Sequence, residues 1–108
     1  MEAITVDKFE TIRTTNLNLT VLDVREHWEY EEENIGAINV PLCTIPSKLA
    51  ELEKYKNTTI VCHCKTGKRS RQAAKYLEKN GFQNILSLEG GIQAYINQYS
   101  AEQGGTRL

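Results

Sequence analysis

Apolar positions in this chain fall alternately into helical stripes and short continuous runs. Phe9 and Ile12, with Val6 just ahead of them, share one face at helical spacing and predict a helix over residues 7–15. The run Leu19-Thr20-Val21-Leu22-Asp23-Val24 predicts a strand that opens into a loop. Residues 27–33 are strongly acidic and form a helix candidate whose apolar contacts are Trp28 and Tyr30. Residues 37–40 make a brief strand stopped by Pro41. Pro46 suits the first turn of a helix over 47–55, in which Leu49 and Leu52 are spaced to face a core. Residues 59–62 read as the most buried strand, and residues 70–80 as the clearest helix, with Gly81 in the position that ends one. A strand over 84–88 follows, and Gly90-Gly91 turns into a last helix over 92–99. The tail 100–108, with Gly104-Gly105, is expected to be mobile. Alternating strands and helices imply an α/β fold with a parallel sheet covered on both faces. Ligands of such sheets sit at the carboxyl ends of the strands.

Composition narrows the picture without changing it. The 108 residues suffice for one domain, placed at 1–99. Thirteen basic against fourteen acidic residues leave a net charge of −1, so no global basic field points to nucleic acid. No apolar stretch approaches the length of a membrane span. The first residues lack a basic segment followed by an apolar core, so no signal peptide is expected. Three cysteines, an odd number, argue against a disulfide framework and for a reducing, cytoplasmic setting. The sequence fits a stand-alone protein or a segment of a longer one.

The chemistry concentrates in Cys64-Lys65-Thr66-Gly67-Lys68-Arg69-Ser70, between the strand signal at 59–62 and the helix signal at 70–80. A thiol at a strand end, in a tight loop before a helix N-terminus, faces successive backbone N–H groups and the positive end of a helix dipole. Lys65, Lys68 and Arg69 add full charges. All of these favour the thiolate, the reactive form. A buried structural cysteine is the bland alternative, and the six polar, basic, Gly-containing residues after Cys64 speak against it. The loop N–H groups from Lys65 to Ser70 can hold an anionic sulfur by fixed dipoles. Gly67 supplies the positive φ that a tight loop needs. Arg69 is the candidate for an oxyanion group, because a guanidinium matches one bidentately. Lys65 and Lys68 are read as rim charge that steers anions, or as ordinary solvated lysines. Thr66 offers a hydroxyl toward the sulfur. Ser70 either binds at the site or caps the helix. Cys62 is read as core, with resolution of a Cys64 persulfide as a minority role, and Cys43 as structural. His27 is read as a helix-surface residue and His63 as a strand residue, and a thiolate needs no general base. Cys62-His63-Cys64 lacks a second ligand cluster, so no metal and no cofactor are expected.

The loop resembles the active-site loop of the rhodanese family, Cys-Arg-x-Gly-x-Arg/Thr. Leu22-Asp23-Val24-Arg25-Glu26, then Asn34-Ile35-Gly36-Ala37-Ile38-Asn39-Val40-Pro41-Leu42, then Gly81-Phe82 and Leu88-Glu89-Gly90-Gly91-Ile92 resemble further family motifs in family order. The resemblance implies a three-layer fold with five parallel strands in the order 3-2-4-5-1. It implies a two-step displacement in which Cys64 takes sulfur from thiosulfate or a persulfide and passes it to cyanide or a thiol, with ping-pong kinetics. Lys65, Thr66, Gly67, Lys68, Arg69 and Ser70 would bind the substrate. Asp23 and Arg25 would be scaffold residues tying loops beside the site, with Glu26 or Glu51 as partners, and Glu89-Gly90-Gly91 would border the pocket. Tyr95 stands where the family often has Trp. The segment at Asn34-Ile35-Gly36-Ala37 lacks the common His and Pro, and Lys65 and Thr66 replace the common Arg and Ser. Implied partners are a small anionic sulfur donor and a thiol acceptor, a thioredoxin-like or sulfur-carrier protein among them, with neither nucleic acid nor membrane.

Three rival readings differ in class. Similar domains occur fused to enzymes that activate sulfur carriers for molybdopterin or thiamine synthesis, which would make this chain a persulfide relay. His63-Cys64…Arg69 also resembles the His-Cys-x5-Arg signature of cysteine phosphatases, and arsenate reduction belongs with that reading, but only four residues separate Cys64 from Arg69. A non-catalytic binding module is the third, and inactive rhodanese domains usually lose the cysteine that this chain keeps.

Overall fold

A computed structural model describes residues 1–16 and 18–100. The tail expected at 100–108 lies, beyond Ser100, outside the described residues. Five strands form one sheet: β1 (Glu2–Ile4), β2 (Leu19–Asp23), β3 (Ile38–Asn39), β4 (Thr59–His63) and β5 (Ile85–Leu88), in the order β1-β5-β4-β2-β3. Every pairing is parallel. That is the three-layer α/β architecture and strand order expected above. β1 is the one strand that the apolar pattern did not signal. Three residues long, with only Ile4 buried, it carries too little alternation to stand out.

The helices are α1 (Val6–Thr15), α2 (His27–Glu32), α3 (Ile45–Leu52), α4 (Lys68–Lys79) and α5 (Gly91–Tyr95), the last widening into a π-type turn, Ile96–Ser100. Thr5 caps α1, its side chain accepting from the Lys8 amide. Pro46 stands in the first turn of α3, as expected, and residues 53–55 continue it as a tighter 3₁₀ turn. α4 ends where Gly81 was expected to end it. The Gly81 amide donates to the Glu78 carbonyl and the Phe82 amide to the Leu77 carbonyl, the paired bonds of a Schellman turn.

Strand alternation divides the core between the two faces. On one face Leu22, Ile60, Cys62 and Ile85 pack with Ile45, Leu52, Ala73, Ala74, Leu77 and Phe82, beneath α3 and α4. On the other, Ile4, Val61 and Leu88 pack with Val6 and Phe9, and with Ala94 and Tyr95, beneath α1 and α5. Each fully buried Leu, Ile or Phe contributes roughly 1.5–3 kcal/mol by removal from water. β4 lies between β5 and β2 and is anchored on both faces, so the backbone leaving its carboxyl end has a fixed origin. That origin is Cys64.

Candidate active site

Cys64 follows directly on β4, and its sulfur lies at the floor of the loop. The Gly67 amide donates to Sγ at 3.1 Å and the Ser70 amide at 3.3 Å. Two fixed dipoles thus converge on one sulfur, one from the loop and one from the first turn of α4. Gly67 adopts φ 112°, a left-handed conformation that glycine tolerates and that turns its N–H inward. Cys64 is 1% exposed, so a group reaching this sulfur must be narrow.

The loop is clamped from behind. The Cys64 carbonyl accepts the Ile92 amide at 2.8 Å, and the Lys65 carbonyl accepts the Gln93 amide at 3.1 Å, so the first turn of α5 holds the loop backbone. Gly91 lies directly against those carbonyls. The turn Glu89-Gly90-Gly91 therefore borders the loop.

Around the loop the six expected residues divide. Lys65, Thr66 and Lys68 are exposed, Arg69 is half-buried, and Gly67 and Ser70 are buried. Ser70 is corrected in one respect. α4 begins two residues earlier than the sequence suggested, with Gly67 at the cap, so Ser70 lies inside the first turn and does not cap it. Its hydroxyl donates to the Gly67 carbonyl at 3.1 Å and pairs with the Ser87 hydroxyl at 2.8 Å, tying α4 to β5. Arg69 is not free. Its two terminal nitrogens donate to the two Glu29 oxygens at 2.6 and 3.0 Å, a fork-on-fork ion pair. The Arg69 bond holds Glu29 ionised down to about 2, well below the usual carboxylate range. Glu29 also accepts the Glu26 amide at 3.0 Å, half of a reciprocal capping box that opens α2. The sequence offered no sign of Glu29 as a site residue, because nothing local links residues 40 apart.

Asp23 and Arg25 do tie loops together, but not through Glu26 or Glu51. The Arg25 guanidinium bonds Asp23 itself, at 2.7 to 3.1 Å, and donates to the Glu33 carbonyl at 2.8 Å. The Asn39 side chain donates to the Asp23 and Arg25 carbonyls at 3.0 Å each. An ion pair buried to 0% and 5% exposure is thus stitched to β3 and to the end of α2. Cys43 is also corrected. It is exposed, in a 3₁₀ turn before α3, and packs into no core. Tyr95 reaches Glu10 with its hydroxyl at 2.9 Å and lies edge-on to Phe9.

Two buried groups next to Cys64 stay uncharged. Cys62 is fully buried, and burial pushes its thiol up to about 12, so it is a poor attacking group. His63, also fully buried, points to the opposite face of the sheet. Its Nε2 is 3.7 Å from the Asp23 carboxylate, and neither ring nitrogen reaches a hydrogen-bond partner among the described residues. Burial lowers its pKa to about 4, with Asp23 opposing and Arg25 and Arg13 assisting. The consequence for stability has a definite sign. Below about 6.5 the unfolded chain takes up a proton here that the folded chain refuses until about 4. Stability should therefore fall as pH falls from 6.5 toward 5, by up to about 1.4 kcal/mol per unit. Denaturant midpoints measured along this range should show the slope in the wild type and a flatter line in His63→Leu; parallel lines would remove His63 as its source.

No group of three or more His, Cys, Asp or Glu among the described residues is arranged to hold a metal ion. No helix among them is long and apolar enough to cross a membrane.

A parallel sheet with a thiol held in an amide cradle at the carboxyl end of a central strand defines a class of α/β domain. The chain belongs to the rhodanese-like domain family, whose model matches residues 5–98. A rhodanese-related protein of Thermoplasma volcanium superimposes with a TM-score of 0.81 at 31% identity, over 92% of this chain and 94% of that one. Among curated proteins, the chain is 35% identical to a tRNA uridine(34) hydroxylase of Buchnera aphidicola over 81% of its own length and 30% of the relative's. It is 32% identical to the candidate sulfur carrier protein YrkF of Bacillus subtilis, over 88% of its own length and 51% of that protein's. The chain thus spans about a third to a half of these two relatives.

Proposed function

We propose that this domain is a sulfurtransferase that carries sulfane sulfur on Cys64. The observation that carries the reading is the convergence of the Gly67 and Ser70 amides on Sγ. Cys64 thiolate attacks the outer sulfur of the donor. With thiosulfate, a sulfur–sulfur bond forms to Cys64 as the old one breaks, and sulfite leaves with its electron pair. With a persulfide donor, the leaving group is the thiolate. The terminal persulfide sulfur on Cys64 is anionic, and loop dipoles stabilise it without reorganising. Cyanide or an acceptor thiolate then takes that sulfur and returns Cys64 as thiolate, the second half of a ping-pong cycle. The Gly67 and Ser70 amides hold the sulfur and Lys65 lines the cleft beside the loop, and the chemistry needs no cofactor. Free cysteines suit a reducing compartment such as the cytoplasm.

A second reading, relay of persulfide to a protein partner, is favoured by Trp28. This side chain is 63% exposed and lines a cleft of about 250 Å³ with Glu29 and Lys65, beside the loop. A large apolar residue left open beside the loop suits contact with a protein carrier, and YrkF's name points the same way. Phosphate-ester or arsenate chemistry fits less well, since the short loop and the Glu29-bound Arg69 leave little for a tetrahedral anion.

Intact mass after incubation with thiosulfate, and separately with a small-molecule persulfide, tests the reading. A gain of one sulfur that cyanide discharges as thiocyanate is expected. No gain from either donor would sink it. Cys62→Ser should retain most of the loading, within about threefold, because its buried thiol does no chemistry; a loss as deep as that in Cys64→Ser would break the single-nucleophile scheme.

A further inference from the structure

We infer that Glu29 selects the donor: by occupying Arg69 it turns the Cys64 site toward sulfur borne on a thiol and away from oxyanion donors such as thiosulfate. The inference rests on the sulfurtransfer reading above. Recognition of a sulfonate-like group needs a guanidinium fork presented to it. Each terminal nitrogen of Arg69 donates to one Glu29 oxygen, so the terminal fork faces Glu29 and not the donor. The carboxylate is held as firmly as the guanidinium, since it is 11% exposed and also serves the α2 capping box.

The approach to the loop adds to this. The cleft beside Lys65 is lined by three carboxylates, Glu29, Glu32 and Glu33. Arg25, on the same cleft, is already paired with Asp23. With Glu29 balanced by Arg69 and Arg25 by Asp23, Glu32 and Glu33 outweigh Lys65 by one charge, so a dianion entering here meets net negative charge. A persulfide with an uncharged organic body carries charge only on the sulfur being transferred, and that body can lie against Trp28 and Ile96.

Glu29→Gln separates selection from folding. Glutamine keeps the capping-box oxygen and removes the charge that occupies Arg69. The rate at which Cys64 gains sulfur, followed by quenched intact mass, is compared for thiosulfate and for hydroxyethyl persulfide, whose organic body is uncharged. In E29Q the thiosulfate rate should rise about tenfold, the size of one charge-assisted hydrogen bond, through a lower half-saturating concentration and an unchanged maximum. The persulfide rate should stay within about twofold. The double variant E29Q/R69A is neutral at this position, as the wild-type pair is, and should return thiosulfate to its original rate. Glu29→Ala gives a second reading of the same ratio. The ratio of the two rates does not depend on the fraction folded, so loss of the cap does not confuse it. An unchanged ratio in E29Q, or a gain that survives in E29Q/R69A, overturns the role of Glu29 alone. Wild-type protein that gains sulfur from neither donor overturns the sulfurtransfer reading itself, and this inference with it.

Discussion

Cys64→Ser should abolish sulfur loading while leaving the domain folded. A serine hydroxyl stays protonated at neutral pH with no base beside it, and it has no route to a stable persulfide. The loss should reach background, at least about a thousandfold. The fold should survive because the hydroxyl oxygen accepts the Gly67 and Ser70 amides in place of Sγ. The thermal midpoint should move by no more than about 8 °C, the equivalent of about 1 kcal/mol in a domain of this size. Peptide mapping has to accompany the intact mass, because Cys43 is exposed and can collect sulfur without catalysis. Sulfur on Cys43 alone, slow and indifferent to the loop, leaves the assignment standing. Fast, cyanide-dischargeable loading that persists in Cys64→Ser would end it.

What the sequence shows of this site, and what it hides, follows from distance along the chain. The loop was legible because its chemistry is contiguous: a strand, a thiol, a glycine and three basic residues within eleven positions. Most helices and strands were legible for the same reason, since their periodicity is local. β1 was not, being three residues long and exposed at two of them. Pairings across long separations were also out of reach. Arg69 looked like a free anion binder from its neighbours, and only the fold sets Glu29 against it. Arg25 was read with Glu26 or Glu51 as its partner, whereas Asp23, two residues back, supplies the carboxylate once β2 ends and the backbone turns. Cys43 looked structural because free cysteines are usually buried, a statistical preference that a 3₁₀ turn at the surface overrides. The strand order came from family resemblance, because periodicity reports faces and never neighbours.

Gly91→Ala should damage stability and sulfur loading together, and the reason lies in the backbone alone. Gly91 has φ 60°, and an added Cβ would stand 2.4 Å from the Cys64 carbonyl oxygen and 2.6 Å from the Lys65 carbonyl carbon and oxygen. None of these atoms is the tip of a side chain that could swing aside. The same two carbonyls accept the Ile92 and Gln93 amides, so the methyl group acts as a wedge between α5 and the loop it clamps. Two weakened hydrogen bonds at about 1 kcal/mol each, with about 1 kcal/mol or more for the left-handed conformation, give a loss of about 3 kcal/mol. That corresponds to a fall of roughly 12–24 °C in thermal midpoint. The chemistry suffers by a separate route. Displacing the Cys64 backbone moves Sγ relative to amides that already reach it at 3.1 and 3.3 Å. A shift of an ångström in such a cradle can cost about a hundredfold. The loading rate should therefore fall about ten- to a hundredfold at temperatures well below the variant's own midpoint, where every molecule is folded. Reduced stability with a wild-type loading rate would mean that α5 holds the fold but does not aim the sulfur. Wild-type values of both would mean that the loop and α5 part freely, against the close contact of Gly91 with the Cys64 and Lys65 carbonyls.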